Sequence, residues 1–535
     1  MRRLLSILLT CLLLAAAALP LTAYAAPTQE LTFALNNVPD GIDPGITNNS
    51  FASPFLFNCF EGLVTTSTAD GSLIPGNAES WTISDDGLTY TFTLREGLKW
   101  SDGSPLTSQD YLYAYKRVLT PETGAQYLNL LTDYIVGAQE YYEDAAAVDG
   151  LGIKAPDDRT LILTLKSPAP FYLSVLTMWT FFPVNQATIE ANGDQWTNKP
   201  ETYITNGPFR ISENLLGERV VLEKNPEYYD ADSVKLEKVT FRYILDLSTA
   251  LMAYEAGDID GTRGFPTSEF QRIRANVPGL VIKPSYGTTY YDINNAKAPY
   301  DNPLVRKALN LAVDRTAIIE EVIQTPATPA YGLNAPGYVV DGEDFVDGRP
   351  TFGMGPTADV EGARAALAEA GYPNGEGFPT MHLSYYTNDT VKKVVEALAA
   401  MFTENLGITV EISNEDWAVY YANVIAGNYD VGAMGWSADY LHPMTFLPLL
   451  ATGDPNNVVG YSNPEYDALV EKARSINDPK EAMEVMRQAE NIATAEYPLL
   501  YMYYGSQSML MSPKVAGYYL DYSGNVLLKT AEVTE

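Results

Sequence analysis

Apolar positions along this chain recur with two periods, and the two alternate from residue 31 to the end. LTFALNN at 31–37 is a β-rich opening strand. LTYTFTLREGLKW at 88–100 alternates apolar and polar residues with period two and then meets a turn at Ser101, Asp102 and Gly103. SQDYLYAYKRVL at 108–119 returns its apolar and aromatic residues at helical spacing, and Pro121 closes it. Further strands at 160–168 and 219–226 end in proline. STALMAYEAG at 248–257 predicts a short helix with Ser248 as N-cap and Gly257 as C-cap. Helices follow at 302–313, with Pro303 in the first turn, and at 357–372, stopped by Gly371. Residues 391–413 read as a helix, a Gly407 cap and a strand, and 429–436 as a strand running into a loop. PEYDALVEKARS and KEAMEVMRQAENIATAE supply two late helices, and 498–511 a last strand. Such interleaving predicts an α/β or α+β architecture with mixed sheets. No repeat, heptad array or low-complexity linker interrupts it, so the domains should be joined by ordered crossings.

A length of 535 residues exceeds what one core supports, which gives two or three domains. The first residues stand outside that fold. Arg2 and Arg3 precede an apolar run at 4–19, and Ala23-Tyr24-Ala25 forms a small-x-small cleavage site before Ala26. Residues 1–25 therefore read as a Sec-type signal peptide, to be removed on the way to the periplasm or the outer face of the cell membrane. Cys11 lies inside the apolar run, where lipid attachment is not expected. The one remaining cysteine, Cys59, sits in the apolar FLFNCFEGL and reads as a small buried hydrophobe.

Charge and chemistry narrow the function. The net charge of −33 repels nucleic acid and anionic lipid and attracts cations. His382 and His442, the two histidines, have no second His or Cys at ligand spacing. GMGPTA at 353–358 follows a turn-rich stretch and lacks the strand a dinucleotide site requires, and the acids of DGEDFVDG at 341–348 miss the calcium-loop positions. Neither G-x-S-x-G, nor a P-loop, nor HExxH occurs. An enzyme is thus not expected, nor a metal or cofactor, although a two-carboxylate glycosidase is not excluded by residue count.

Tyrosine is the anomaly: 37 residues against 18 Phe and 6 Trp. Its flat apolar face and polar tip suit surfaces that bind varied ligands. Clusters stand at Tyr111/Tyr113/Tyr115, Tyr290/Tyr291, Tyr420/Tyr421 and Tyr501/Tyr503/Tyr504. GWSADY at 435–440 is the sharpest local signal. A strand ends at Asp439 between Trp436 and Tyr440, with Gly435 allowing close backbone approach. Open α/β sheets bind ligands at the carboxyl ends of strands, and a carboxylate walled by aromatics pairs strongly with an ammonium group.

Taken together, AESWTISDDGLTYTFTLREGLKWSDGSPLTSQD at 78–110, FEGLV at 60–64, TNGPF at 205–209, YYDINNAKAPYDNPLVRKALNLAVDR at 290–315 and AEAGYP at 368–373 resemble the extracellular solute-binding proteins, family 5. The resemblance runs from about residue 31 to the end, and GWSADYLHPMTFL at 435–447 is similar to the oligopeptide-binding members. It implies a three-domain, two-lobed periplasmic-binding-protein type II fold that closes on a hinge. The first domain would comprise 26–52, 187–287 and 506–535, the second 53–186 and the third 288–505. It implies a monomer that hands peptides to the permease and ATPase subunits of an ABC importer. Asp439 would hold the peptide's α-ammonium. Gly435, Trp436 and Ala438 would offer backbone and wall, and Trp417, Tyr113, Tyr503 and Tyr504 would stand near the peptide. Departures accompany these matches. A His and two Arg that meet the peptide carboxylate in enteric members correspond here to Val391, Val424 and Ala433, and an N-terminal-lobe Glu to Val38. Longer peptides, blocked C-termini, or a non-peptide solute such as a nickel chelate, haem, an oligosaccharide or a cationic amine stay open.

Overall fold

The computed structural model describes residues 27–534 apart from 40, 70, 216 and 439, so the expected signal peptide and Asp439 lie outside the described residues. Along the chain, β1 (Glu30–Leu35) is followed by β2 (Ala78–Ile83) and β3 (Thr89–Leu94). In TYTFTL the period-two pattern is realised directly: Tyr90, Phe92 and Leu94 are fully buried between half-exposed threonines. Helix α1 (Ser108–Val118) starts at Thr107 with a capping box closed by Asp110. Then come β4 (Ile153–Asp157) and β5 (Thr160–Thr164), which complete a four-stranded sheet of order β2-β3-β5-β4.

The chain next lays down β6 (Phe209–Leu215), β7 (Arg219–Lys224), β8 (Lys238–Tyr243), α2 (Leu247–Ala256) and β9 (Gly261–Thr262). The N-cap of α2 is Asp246, whose carboxylate accepts from the Thr249 N–H, and not Ser248 as the sequence pattern indicated. Asp and Ser cap about equally well, so the pattern could not choose between neighbours. After β10 (Leu280–Ile293) come β11 (Met381–Tyr386), α3 (Asp389–Leu406), β12 (Val410–Glu415), α4 (Trp417–Ile425), β13 (Val431–Ser437) and β14 (Leu499–Met511).

One mixed sheet runs through the molecule in the order β12-β11-β13-β10-β14-β9-β1-β8-β7-β6, with the two-residue strand Thr328–Pro329 beside β14. Its centre is the antiparallel pair β10–β14, and each of these strands serves both halves of the sheet. Leu280 to Pro284 pair with Leu510 to Ser506 next to β9, whereas Thr288 to Asp292 pair with Tyr504 to Leu499 next to β13. The register breaks between Pro284 and Thr288. A register break of this kind is where an antiparallel pair bends.

The core is aromatic-rich. Trp100, Tyr111, Tyr115, Tyr172 and Trp196 are buried completely. Cys59 is also fully buried, and burial pushes its thiol far above the usual range, which keeps it inert.

Candidate ligand-binding site

Two cavities meet at Ser437, the last residue of β13, which lines both. The first, of about 280 Å³, is walled by Phe57, Phe60, Glu61, Trp179, Phe182 and Lys529, and is reached from the other half of the molecule by Ser437 and Ala438. The second, of about 320 Å³, lies within the half built on β10–β13 and is walled by Tyr291, Tyr386, Trp417, Trp436 and Tyr503.

Between them runs an open strand edge. β11 pairs with β13 only at Val431 and Gly432. Successive backbone groups of a strand point to opposite sides. Ala438 donates its N–H to the Tyr286 carbonyl on the β10 side at 2.8 Å, while the Ala433 carbonyl faces the other way and accepts from the Tyr420 hydroxyl at 2.8 Å. The N–H and C=O groups of Gly435 and Ser437 therefore face the same open side as Ala433. Gly435 itself answers to β10: a Cβ there would stand 3.0 Å from the Thr288 carbonyl oxygen, so the close approach it permits is strand to strand.

The aromatic walls differ in burial. Trp417 is 51% exposed, stacks on Tyr421 at 5.2 Å and 13°, and meets Tyr386 edge-on at 5.1 Å. Trp436 is half-buried, with its indole N–H 3.5 Å from the Thr445 hydroxyl. Tyr503 lines the second cavity, but Tyr504 does not. Neighbours on a strand face opposite ways, so Tyr504 turns into the core. There its hydroxyl accepts from the Tyr331 N–H and donates to the Gly332 carbonyl, both at 3.1 Å, beside the buried Arg349–Glu490 ion pair. Of the two tyrosines expected near a ligand, Tyr503 thus lines the cavity and Tyr504 packs in the core. Tyr113 also stands apart. Tyr111 and Tyr115 point one way from α1 into the core, and Tyr113, two residues from each, points elsewhere, beside Arg117 and Asp43. It lines neither cavity.

The residues on either side of position 439 are described. Ala438 lines the first cavity, and Tyr440 stacks on Phe171 at 5.1 Å and 8°. His442 packs on Phe171 and Tyr338, and its Nδ1 accepts from the Met444 N–H at 3.2 Å. Burial lowers its pKa to about 3, so the ring is neutral and caps a turn.

Sequence reasoning passed over the charged groups of the first cavity. Glu61, 4% exposed, accepts from the Tyr228 hydroxyl at 2.6 Å, and burial raises its pKa. Lys529 lies 2.9 Å from Asp230 and 3.9 Å from Glu61. Asp521 is held by the N–H groups of Ser523 and Asn525 and by the Asn525 amide at 2.7–2.9 Å, and burial raises its pKa too. Glu61 belonged to the FEGLV stretch and so carried a signal. Asp521 had none, because nothing in DYSGN distinguishes a cavity wall from a surface turn.

Residues 72–458, more than half of the chain, match the family model of the bacterial extracellular solute-binding proteins, family 5 (middle). The oligopeptide-binding protein OppA of Bacillus subtilis (strain 168) is 32% identical over 510 residues, covering 94% of this chain and 92% of its own. The periplasmic murein tripeptide-binding protein MppA in its unliganded open form superposes with a TM-score of 0.85 at 31% identity, over 95% of this chain and 98% of its own. Haemophilus influenzae OppA in complex with RPPGFSPFR gives 0.67, also at 31% identity, over 95% and 99%.

Proposed function

We propose, because the chain belongs to the bacterial extracellular solute-binding proteins of family 5, that it captures peptides outside the cytoplasm and presents them to the permease of an ABC importer. The observation that carries this reading is the open edge of β13 between two cavities. Backbone groups of Gly435 and Ser437 on an unpaired edge are what an extended peptide needs to add as a further strand. The amides would satisfy one another whatever the side chains, while roomy cavities take varied residues with water filling the remainder. Asp439, which follows Ala438 in the sequence, would fix the register by pairing with the α-ammonium group.

Capture proceeds by hinge closure. The break in β10 between Pro284 and Thr288 supports a division in which 26–52, 187–287 and 506–535 form a first domain, 53–186 a second and 288–505 a third. The chain acts as a monomer without catalysing a reaction, and it is exported through the Sec pathway. Among the described residues no helix is long and apolar enough to cross a membrane.

Calorimetric titration of a free-amine peptide and its N-acetylated form tests the reading. Truncating one partner of a buried charge pair costs ~2–5 kcal/mol. The free amine should therefore bind at least tenfold tighter, and Asp439→Ala should remove the difference. Equal affinities in the unaltered protein would sink the role of Asp439, and no binding of either peptide would sink the peptide reading.

A further inference from the structure

We infer that the second cavity is built against a carboxylate, so that this chain takes peptides whose C-terminal carboxylate is blocked or lies beyond that cavity. The inference rests on the peptide reading and names the ligand class within it.

Three observations carry it. First, the described lining residues are glycine, alanine, serine, threonine, valine, methionine, tyrosine and tryptophan, and none bears a charge. Five rings form the walls, and Val391, Val394 and Ala433 fill the places between them. Ring faces attract apolar and cationic groups and offer nothing to an anion.

Second, the helix start at the cavity is already occupied. Thr390 and Val391, in the first turn of α3, line the wall, and a free helix N-terminus would favour an anion. Here the Asn388 side chain accepts from the N–H groups of Thr390 and Val391 at 2.9 and 3.0 Å, and the Asn388 carbonyl takes the Lys392 N–H at 2.9 Å. Asp389 adds a negative charge to the same turn.

Third, the cation among the described lining residues of the first cavity is already engaged: Lys529 lies 2.9 Å from Asp230 and 3.9 Å from Glu61. A carboxylate enclosed in the second cavity would give up part of its water and find no positive partner among the described lining residues, which penalises the charge. An amide or a continuing peptide bond meets no such penalty, because hydroxyls of Thr289, Tyr386 and Tyr503 lie in the same wall.

The test is a series of alanine-based peptides of three to eight residues, each with a free amine and made both as the C-terminal acid and as the C-terminal amide, titrated against the full secreted chain. At the lengths whose end falls in the second cavity the amide should bind at least tenfold tighter than the acid, and the gap should close as the chain grows past it. Val391→Arg, a change at a half-buried wall position, should reverse the order at those lengths. Acids that bind as well as amides at every length, or better, would overturn the inference and leave the peptide reading standing. A protein that binds no acid and no amide at any length would overturn both.

Discussion

At the scale of single residues, the clearest consequence of the structure concerns Asp292. This residue of β10 is 1% exposed, and one of its carboxylate oxygens has no hydrogen-bond partner among the described residues. Burial raises its pKa to about 8. The folded chain thus keeps a proton that the unfolded chain gives up near pH 4. Stability from this group is present in full below that pH, is lost as pH rises toward 8, and stays lost above it. Asp292→Asn keeps the shape without the charge. It should raise the melting temperature by a few degrees at pH 8, with a gain that shrinks toward zero at pH 4, as read by thermal unfolding across that range. A gain independent of pH would mean that Asp292 is not the titrating group. The same scale shows how site residues were legible. Trp417, Trp436 and Gly435 line the second cavity and Ala438 the first. Tyr504 and Tyr113 line neither, and the reason is periodic. A strand turns its neighbours to opposite faces, and a helix separates residues two apart by roughly 200°. Those periods were visible in the sequence, but which face meets the cavity depends on packing that lies elsewhere in the chain.

Elements were read best where they carry their own pattern. The helix from residue 108 and the late strand at 498–511 recur in the structure within a residue or two, and the alternating stretch read at 88–100 forms a strand over Thr89–Leu94 only. β10 is the opposite case. Pro284 and Gly287 break its alternation, so nothing local marks fourteen residues as one strand. It exists because β14 pairs with it from more than 200 residues away. The crossing has a tight point: a Cβ at Gly505 would stand 2.6 Å from the Ser285 hydroxyl. Gly505→Ala should therefore push the Ser285 hydroxyl out of its rotamer and cost stability by ~0.5–1.5 kcal/mol. Ser285→Gly in the same chain should return part of it, so that the double variant is more stable than the two single costs would give when added. Denaturant unfolding of the four proteins measures the coupling. Strictly additive costs would show that the two strands do not press on each other there.

For the whole molecule, two comparisons at the same 31% identity separate conformation from ancestry. The superposition is 0.85 on an unliganded open form and 0.67 on a peptide complex, so evolutionary distance does not account for the gap. The better match to the open form agrees with Trp417, an aromatic wall residue left 51% exposed, and with the edge of β13 beyond Gly432, which no strand among the described residues covers. If the halves close on the β10–β14 crossing, a saturating peptide should lower the radius of gyration measured by X-ray scattering. It should also move tryptophan emission to shorter wavelength as Trp417 leaves water. The two readouts divide the possibilities. Trp417→Phe should abolish most of the emission change while leaving the compaction intact, because the ring walls the site and the hinge lies in other strands. Emission that shifts without compaction would place the peptide on one half alone, and the open superposition would then describe a shape that the chain keeps with its ligand bound.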